Sequence, residues 1–172
     1  MDLSQVYRQH YRSLVRYLYR RTGDQGRAED LAQEAFVRAI EHCPSQPRAW
    51  LFQVATNLAR DEGRRQSTHR RHLTLIRSQA SPAPTPPDIA LERREKVLRV
   101  RAALAELSPR DRDGLLLWEE GFSYEEIARV LDLSLGSVGT TLSRARSRMA
   151  EAYKRLDATA IEVAGSKTDA AS

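Results

Sequence analysis

The chain has 172 residues, of which 41% are hydrophobic and 6% aromatic, and its 28 basic and 23 acidic residues give a net charge of +5. This length accommodates one ordinary domain or two small ones, and so few aromatic residues suit small helical cores better than a β-sandwich. All but three of the bases are arginine, whose rigid donor fork fits phosphates and guanine edges, so the charge is a weak indication of nucleic-acid binding. One cysteine, Cys43, and four scattered histidines exclude an internal disulfide and any common structural zinc spacing.

No segment of the sequence has the character of a membrane span or a secretion signal. Arginines interrupt the N-terminal segment at Arg8, Arg12 and Arg16, and the longest apolar run near the middle, Leu115–Trp118, is far too short to cross a bilayer and is expected in the core. We therefore expect a soluble, cytoplasmic protein with no direct membrane insertion. We expect no metal, no cofactor and no catalytic residues, because the sequence has no carboxylate cluster with metal spacing, no Ser/His/Asp set and no phosphate-cradling glycine loop.

Apolar residues recur at helical spacing along almost the whole chain, and no strand-like alternation stands out, so the sequence predicts an all-α fold. A first amphipathic helix covers the stripe Val6–Leu18 and ends before Gly23. The second, Ala28–Ile40, has the most regular apolar stripe, and acidic residues in its first turn complement the helix dipole. A third helix starts near Trp50 and runs into the arginine-rich segment 60–71.

A proline-rich segment divides the chain. Four prolines within positions 82–87 exclude both a helix and a central strand, so this segment is predicted to be an extended linker, partly polyproline II. We predict two small helical domains, at 1–76 and 89–157, joined by a linker at 77–88 and followed by a flexible tail at 158–172.

The domain after the linker has the pattern of a helix-turn-helix unit. Ser108-Pro109 is a typical helix start, and Ser123 with Glu126 forms a capping box that opens the next helix. A tight turn then leads to Ser134, the predicted cap of a last helix that runs to about Leu156. In such a unit the first helix crosses the DNA backbone and the second lies in the major groove.

The exposed face of this last helix is the predicted DNA contact. Burial of its apolar positions leaves hydroxyl groups and a glycine near its start and arginines further along, which suits bases and phosphates. The candidate residues are Ser137, Gly139, Thr140, Thr141, Ser143, Arg144, Arg146 and Arg148. The plainer alternative is a helical hairpin with a solvated basic end, which is common because basic groups complement a helix C-terminus.

Four segments, in this order around a linker, point to one family. They are Ala28–Ala39, Ala49–Asp61 with Arg64-Arg65, Leu107–Ala128 and Gly136–Arg146. Together they resemble the bacterial extracytoplasmic-function (ECF) sigma factors of the sigma-70 family, the smallest group of RNA polymerase specificity subunits. The resemblance covers about residues 3–156.

The resemblance implies roles for residues of the first domain. In the family the second helix docks on the clamp helices of the polymerase β′ subunit, and the matching residues are Asp30, Gln33, Glu34 and Phe36. The third helix and the loop before it recognise and melt the −10 element, which requires an extruded base in a pocket and cations along the single strand. The matching candidates are Ser45, Gln46, Arg48, Trp50, Asn57, Arg60, Arg64 and Arg65.

The resemblance also assigns the second domain to the −35 element of promoter DNA and to the β flap of RNA polymerase core. An anti-sigma factor that covers both DNA-binding domains is a further expected partner.

The sequence departs from the family pattern at two places. Gly139 and Thr141 are uncharged where basic residues are usual, and Glu62-Gly63 stands where the family commonly has an apolar residue or a histidine. From Gly139 and Thr141 we expect fewer phosphate contacts, a changed −35 sequence, or a last helix that becomes firm only on DNA.

Three other functions stay open from the sequence. A stand-alone helix-turn-helix regulator would usually dimerise and would not need the face around Asp30 to bind polymerase. A nuclease would need a catalytic constellation that we do not find in the sequence. A sigma-like chain could also bind polymerase without melting promoters.

Overall fold

The structure is a computed structural model that describes residues 2–72 and 89–169, and within these residues it contains seven helices and no strand. The N-terminal module comprises α1 (Leu3–Thr22), α2 (Gln25–His42) and α3 (Pro47–His72). The C-terminal module comprises α4 (Ile89–Glu106), α5 (Pro109–Glu119), α6 (Tyr124–Leu131) and α7 (Leu135–Asp169). The all-α prediction is confirmed, whereas the linker predicted at 77–88 lies outside the described residues.

Local sequence explains where the N-terminal helices begin and end. Asp2 and Asp24 cap α1 and α2, because their carboxylates accept hydrogen bonds from backbone N–H groups of the first turn. Helix α1 ends at Gly23, whose φ of 78° is the left-handed conformation that glycine adopts without strain. Cys43 ends α2 at a φ of 42°, and the chain then turns into α3, where Pro47 suits the first helical position.

The N-terminal module packs three helices around a fully buried cluster that includes Leu14, Leu18 and Phe52. The phenol of Tyr17 and the hydroxyl of Thr56 are 2.7 Å apart inside this core. Thr56 donates its own hydroxyl to the Phe52 carbonyl at 2.6 Å, so Tyr17 is the donor to Thr56. Burial raises the pKa of Tyr17, which keeps the phenol protonated and able to donate.

Two of the three helix starts predicted for the C-terminal module are confirmed by capping hydrogen bonds. The Ser108 hydroxyl accepts from the backbone N–H of Asp111 at 3.2 Å and caps α5. At α6 the capping box is complete, because Ser123 accepts from the Glu126 N–H at 3.2 Å and the Glu126 carboxylate accepts from the Ser123 N–H at 2.8 Å. Asp132, at a φ of 54°, then makes the left-handed turn into α7.

Three expectations about the helices are wrong. Helix α7 does not end near Leu156 but continues to Asp169, since the sequence that follows is rich in alanine and contains no proline. Trp118 is partly exposed rather than a core residue, because it lies on the outer side of α5. Ile40 closes the predicted apolar stripe of α2 yet is half-exposed in the last turn of that helix.

The two modules pack against each other, with α1 on α5 and α3 on α6. The rings of Phe52 and Phe122 are 4.7 Å apart and both are fully buried, so one hydrophobic cluster runs through both modules. The sequence predicted two modules but no contact between them. This contact brings the candidate −10 residues next to the helix-turn-helix.

Candidate nucleic-acid interface

Helices α6 and α7 form the predicted helix-turn-helix. The apolar side of α7 is anchored by Val138, Leu142 and Ala145, which are buried against α5 and α6. Its opposite side carries the predicted DNA contacts. Exposed on that side are Thr140, Ser143, Arg144, Arg146 and Arg148, while Ser137 and Gly139 are half-buried beside them.

Thr141 is a correction to the predicted set. Its side chain is 6% exposed, and its methyl group lies beside Gly114 of α5. One helical step separates Thr140 from Thr141, so the first faces outward while the second packs into the module. The hydroxyl of Thr141 therefore does not belong to the DNA-facing surface.

A buried carboxylate holds two arginines of this surface. Asp111, in the first turn of α5, accepts from Nη2 of Arg144 at 2.7 Å and from Nη1 of Arg148 at 2.9 Å. Burial alone would raise the pKa of Asp111, but hydrogen bonds from Arg144 and Ser108 and the charges of both arginines outweigh it. The pKa of Asp111 therefore lies below its ordinary value, and the carboxylate is ionised at neutral pH. Sequence spacing gave no signal for this contact, because the partners are more than thirty residues apart.

An aromatic pair lies beside the start of α7 and was also missed. The rings of Trp118 and Tyr124 meet edge to face at 5.5 Å, and the guanidinium of Arg146 stacks over Trp118 at 5.2 Å. A Cβ added to Gly139 would come 3.6 Å from Cε2 of Tyr124, an ordinary contact distance, so the ring lies directly beside the first turns of α7. Helix α7 is continuous through Gly139.

The candidate −10 residues lie on α3 and on the loop that precedes it. Ser45, Asn57, Arg64 and Arg65 are exposed, and Trp50 is half-buried with its ring 5.5 Å from that of His42. Three other candidates form hydrogen bonds with the C-terminal module. These are Gln46, Arg48 and Arg60.

Arg48 is the most heavily engaged of these three. Its Nη2 donates to the backbone carbonyl of Glu120 at 2.8 Å, and its Nη1 lies 3.4 Å from the Glu126 carboxylate. The guanidinium also stacks over the ring of Phe122 at 4.0 Å. Nearby, Gln46 accepts a hydrogen bond from Arg129 of α6.

Two buried acids of the C-terminal module accept arginines of the N-terminal module. Asp113 accepts from Nε of Arg21 at 2.7 Å and from Nε of Arg60 at 3.0 Å. Glu120 pairs with Arg16 and Arg20 of α1. In these pairs the acids come from one module and the bases from the other, so the two facing surfaces are electrostatically complementary.

The predicted polymerase-docking residues lie on α2, but one of them faces inward. Asp30, Gln33 and Glu34 are exposed. Phe36 is 5% exposed, and its ring lies 5.1 Å from that of Tyr7 and 6.0 Å from that of Tyr11. The prediction that Phe36 is one of the polymerase-docking residues is therefore wrong, because this ring belongs to the core.

Two exposed apolar residues continue the line of the acids on α2. Val37 is 51% exposed and Ile40 is 54% exposed. Residues three or four apart share a helix face, so these two follow Asp30, Gln33 and Glu34 along one side. Helical spacing counted from Asp30 could have identified them from the sequence.

Neither a metal site nor a membrane-spanning helix is found in the part of the chain that the structure describes. Within residues 2–72 and 89–169, no three His, Cys, Asp or Glu side chains come together as metal ligands. No helix in the same ranges is both long and apolar enough to cross a bilayer.

The helical fold is that of a promoter-specificity subunit of RNA polymerase. The family model "Sigma-70 region 2" matches residues 6–69, and "Sigma-70, region 4" matches residues 98–149. The chain belongs to the sigma-70 family, and its relatives are RNA polymerase sigma factors, several of them of the ECF group. It binds RNA polymerase core and directs transcription initiation at specific promoters.

Individual relatives support this identification over nearly the whole chain. RNA polymerase sigma factor YlaC of Bacillus subtilis is 32% identical, over 84% of this chain and 88% of the relative. ECF RNA polymerase sigma factor SigM of the same organism is 30% identical, over 90% and 97%. The sigma factor RpoE of Bartonella quintana, solved in complex with the anti-sigma factor NepR, shares the fold with a TM-score of 0.71 at 24% identity, over 89% of this chain and 97% of that one.

Proposed function

We propose that the exposed line on α2 is the surface that docks on the clamp helices of the polymerase β′ subunit. It combines Asp30, Gln33 and Glu34 with the apolar Val37 and Ile40. Acidic groups around apolar contacts suit a basic helical partner, since the charges steer the encounter while apolar burial supplies affinity. Phe36 supports this surface from below by packing against α1.

We propose that α3 and the loop before it bind and melt the −10 element. This surface offers hydroxyl and amide groups for base edges, Trp50 for stacking, and arginines for the backbone of the single strand. Its residues are Ser45, Gln46, Arg48, Trp50, Asn57, Arg60, Arg64 and Arg65. In this assignment, residues 1–76 act as one DNA-melting unit.

We propose that the exposed side of α7 reads the −35 element in the major groove. The observation that carries this assignment is the set of three exposed arginines on the helix that follows the left-handed turn at Asp132. The contacts would come from Ser137, Gly139, Thr140, Ser143, Arg144, Arg146 and Arg148. The unit formed by residues 89–157 would also contact the β flap, leaving 158–172 outside the DNA contact.

We propose that the protein works in the cytoplasm, has no catalytic activity of its own, and is regulated by an anti-sigma factor. The anti-sigma proposal is supported by the similarity of the fold to a sigma factor solved with NepR. Such a partner would have to cover surfaces on both modules.

We also propose that residues 77–88 are the linker between the modules, because binding two separate promoter elements requires two tethered modules.

The test is selection of promoters with reconstituted holoenzyme. The chain is mixed with core polymerase, challenged with a promoter library randomised over both elements, and open complexes are scored by permanganate footprinting. Initiation at new start sites that share two sequence elements is expected. Specific duplex binding without core polymerase, and no initiation with it, would instead identify a stand-alone regulator. Polymerase binding without permanganate-reactive bases would overturn the melting assignment.

A matched pair of variants tests the docking surface in the same assay. Asp30→Arg reverses one charge on α2 and should abolish capture of core polymerase. Glu151→Arg makes the same charge change on an exposed position of α7 and should leave capture intact. Equal capture by both variants would refute the α2 assignment.

A further inference from the structure

One carboxylate sits behind two arginines of the proposed −35 surface. Asp111 is fully buried, whereas the side chains of Arg144 and Arg148 are 44% and 54% exposed. Asp111 accepts from Nε and Nη2 of Arg144 and from Nη1 of Arg148. The acid therefore holds the inner side of each guanidinium while the outer side stays open.

The geometry leaves donors free for DNA. A guanidinium has five N–H donors in a fixed planar fork, and Asp111 occupies the Nε side of Arg144 and a single nitrogen of Arg148. An edge of each fork therefore still faces outward, which is what bidentate recognition of a guanine requires. Because one buried carboxylate fixes both side chains, it also fixes the spacing between their free edges.

A purely structural link between α5 and α7 does not need this arrangement. The two helices already pack through apolar side chains, where Leu142 and Thr141 lie beside Gly114. Burying a carboxylate is costly unless it is well paired, and the two arginines that pair with Asp111 are both on the proposed −35 surface. The Ser108 cap places Asp111 at a defined point of the first turn of α5, so the carboxylate itself is well positioned.

We propose that Asp111 is a positioning residue for −35 recognition, which rests on the proposed role of α7. It orders Arg144 and Arg148 before DNA arrives, so that they discriminate between bases instead of pairing with any nearby phosphate. Side chains that are already ordered lose less conformational entropy on binding DNA. They also favour the one base sequence whose edges match their fixed positions. The residue acts through the arginines and does not itself touch DNA.

The test compares Asp111→Asn with two controls in the full chain bound to core polymerase. Initiation is measured from a promoter library randomised over the −35 element. The ratio of initiation from the preferred −35 sequence to initiation from the median sequence should fall by about tenfold in Asp111→Asn. That is the discrimination expected of one well-placed arginine–guanine pair. Asp111→Asn should also tighten binding to random-sequence duplex, because two cations are released from a counter-charge.

The controls separate charge and stability from positioning. Glu151→Gln makes the same charge change at an exposed site of α7, and Leu116→Val weakens the core of α5. Neither should change the −35 preference. If Asp111→Asn is not folded, Asp111→Glu keeps the charge but displaces the carboxylate, and it should give an intermediate loss of preference.

A double-mutant comparison decides between the outcomes. In a background of Arg144→Ala with Arg148→Ala, Asp111→Asn should have no further effect on −35 preference. Unchanged preference in Asp111→Asn or Asp111→Glu, alongside a lower melting temperature, would overturn the proposal and leave Asp111 a structural link. If Arg144→Ala with Arg148→Ala, without any change at Asp111, leaves the −35 preference unchanged, the assignment of α7 to the −35 element is refuted. That result is distinct from failure of the Asp111 proposal.

A separate set of contacts concerns the −10 surface. Gln46, Arg48 and Arg60 all contact the C-terminal module, and Phe122 covers the guanidinium of Arg48. While they contact α5 and α6, these groups offer fewer of their hydrogen-bonding atoms to a nucleic-acid strand. The interface is also imperfect, since Nε of Arg112 is buried without a hydrogen-bond partner among the described residues.

We infer that the packed arrangement is a closed state in which the C-terminal module covers part of the −10 surface. The two modules must then separate before the promoter is melted. The unpaired Nε of Arg112 lowers the free energy needed for this separation. A closed population reduces the apparent affinity for single-stranded DNA in proportion to the open fraction.

Small-angle X-ray scattering and oligonucleotide binding test the closed state on the free full-length chain. Phe122→Ala and Asp113→Asn should both increase the radius of gyration. Both should also raise affinity for a random single-stranded oligonucleotide pool, by about tenfold if nine molecules in ten are closed. Tyr153→Ala removes a half-buried aromatic ring of α7, a helix that takes no part in the packing of α1 on α5 and α3 on α6, and it should change neither quantity. An extended wild-type particle, or equal oligonucleotide affinity in all variants, would overturn the inference.

Discussion

Arg60 donates from Nε to Oδ2 of Asp113 at 3.0 Å, so a residue of the proposed −10 surface is bound to the opposite module. Arg21 occupies the other oxygen of the same carboxylate. Asp113→Ala would leave two arginines facing each other without the anion. Loss of one partner from such a buried cluster is expected to cost the packed arrangement about 3–5 kcal/mol.

The measurement uses the single tryptophan of each module, Trp50 and Trp118. Urea unfolding of Trp50→Phe and Trp118→Phe chains should give coincident transitions, because one hydrophobic cluster runs through both modules. With Asp113→Ala added, the two midpoints should separate. Coincident midpoints in the Asp113→Ala background would contradict the prediction.

Phe36 and Val37 are neighbours on α2 with opposite surroundings, which separates folding from docking. Phe36→Ala should destabilise the N-terminal module by about 3–5 kcal/mol, because the ring is packed against Tyr7 and Tyr11. Val37→Ser changes an exposed side chain and should stay within about 0.5 kcal/mol of wild type while weakening capture of core polymerase. Urea unfolding and polymerase capture on the same preparations check both. A stable Phe36→Ala chain that fails to bind polymerase would restore Phe36 to the docking surface.

The sequence was sufficient for features that depend on neighbours along the chain. Helix starts at Ser108 and Ser123 follow from capping chemistry, which acts within four residues, and both are confirmed. Apolar spacing likewise predicted the all-α fold and the buried side of α7. Apolar spacing failed for Ile40 and Thr141, because a stripe at helical spacing does not say which of its edges is covered. Phe36 lies in the predicted stripe and is buried, and its predicted docking role came from the family resemblance instead.

Contacts between residues far apart in the sequence could not be predicted from capping motifs or apolar spacing. Asp111 and Asp113 are two residues apart on α5, yet one binds arginines of its own module and the other binds arginines of the N-terminal module. Both look like ordinary acids in the first turns of a helix. Only the three-dimensional packing assigns them different roles, and it also joins Arg48 to Phe122 across the two modules.

Gly139 offers a way to test whether the start of α7 is stable by itself. Gly139→Ala should raise the free energy of unfolding by about 0.5–1 kcal/mol, since alanine loses less backbone freedom in a helix. The added Cβ would meet Cε2 of Tyr124 at 3.6 Å, which is an ordinary contact. Thermal melting of the full chain checks the stability, and amide exchange across Ser137–Leu142 locates the change. A lower melting temperature would show that the contact with Tyr124 is tighter than this distance implies.

His10 predicts how stability depends on pH. Burial on α1 and the nearby charge of Arg48 lower the pKa of His10 in the folded chain, whereas the unfolded chain keeps the ordinary value of about 6.5. The unfolded state therefore binds the proton more readily. The stability contributed by neutral His10 is complete above about pH 6.5 and is lost as the pH falls through that value toward the folded pKa.

His10→Gln should therefore lose less stability than wild type between pH 8 and pH 5.5, the interval that brackets about 6.5. Urea unfolding at both pH values measures the difference. Because Arg48 contributes to the shift, Arg48→Gln should also reduce the dependence, and an unchanged dependence in both His10→Gln and Arg48→Gln would refute this account.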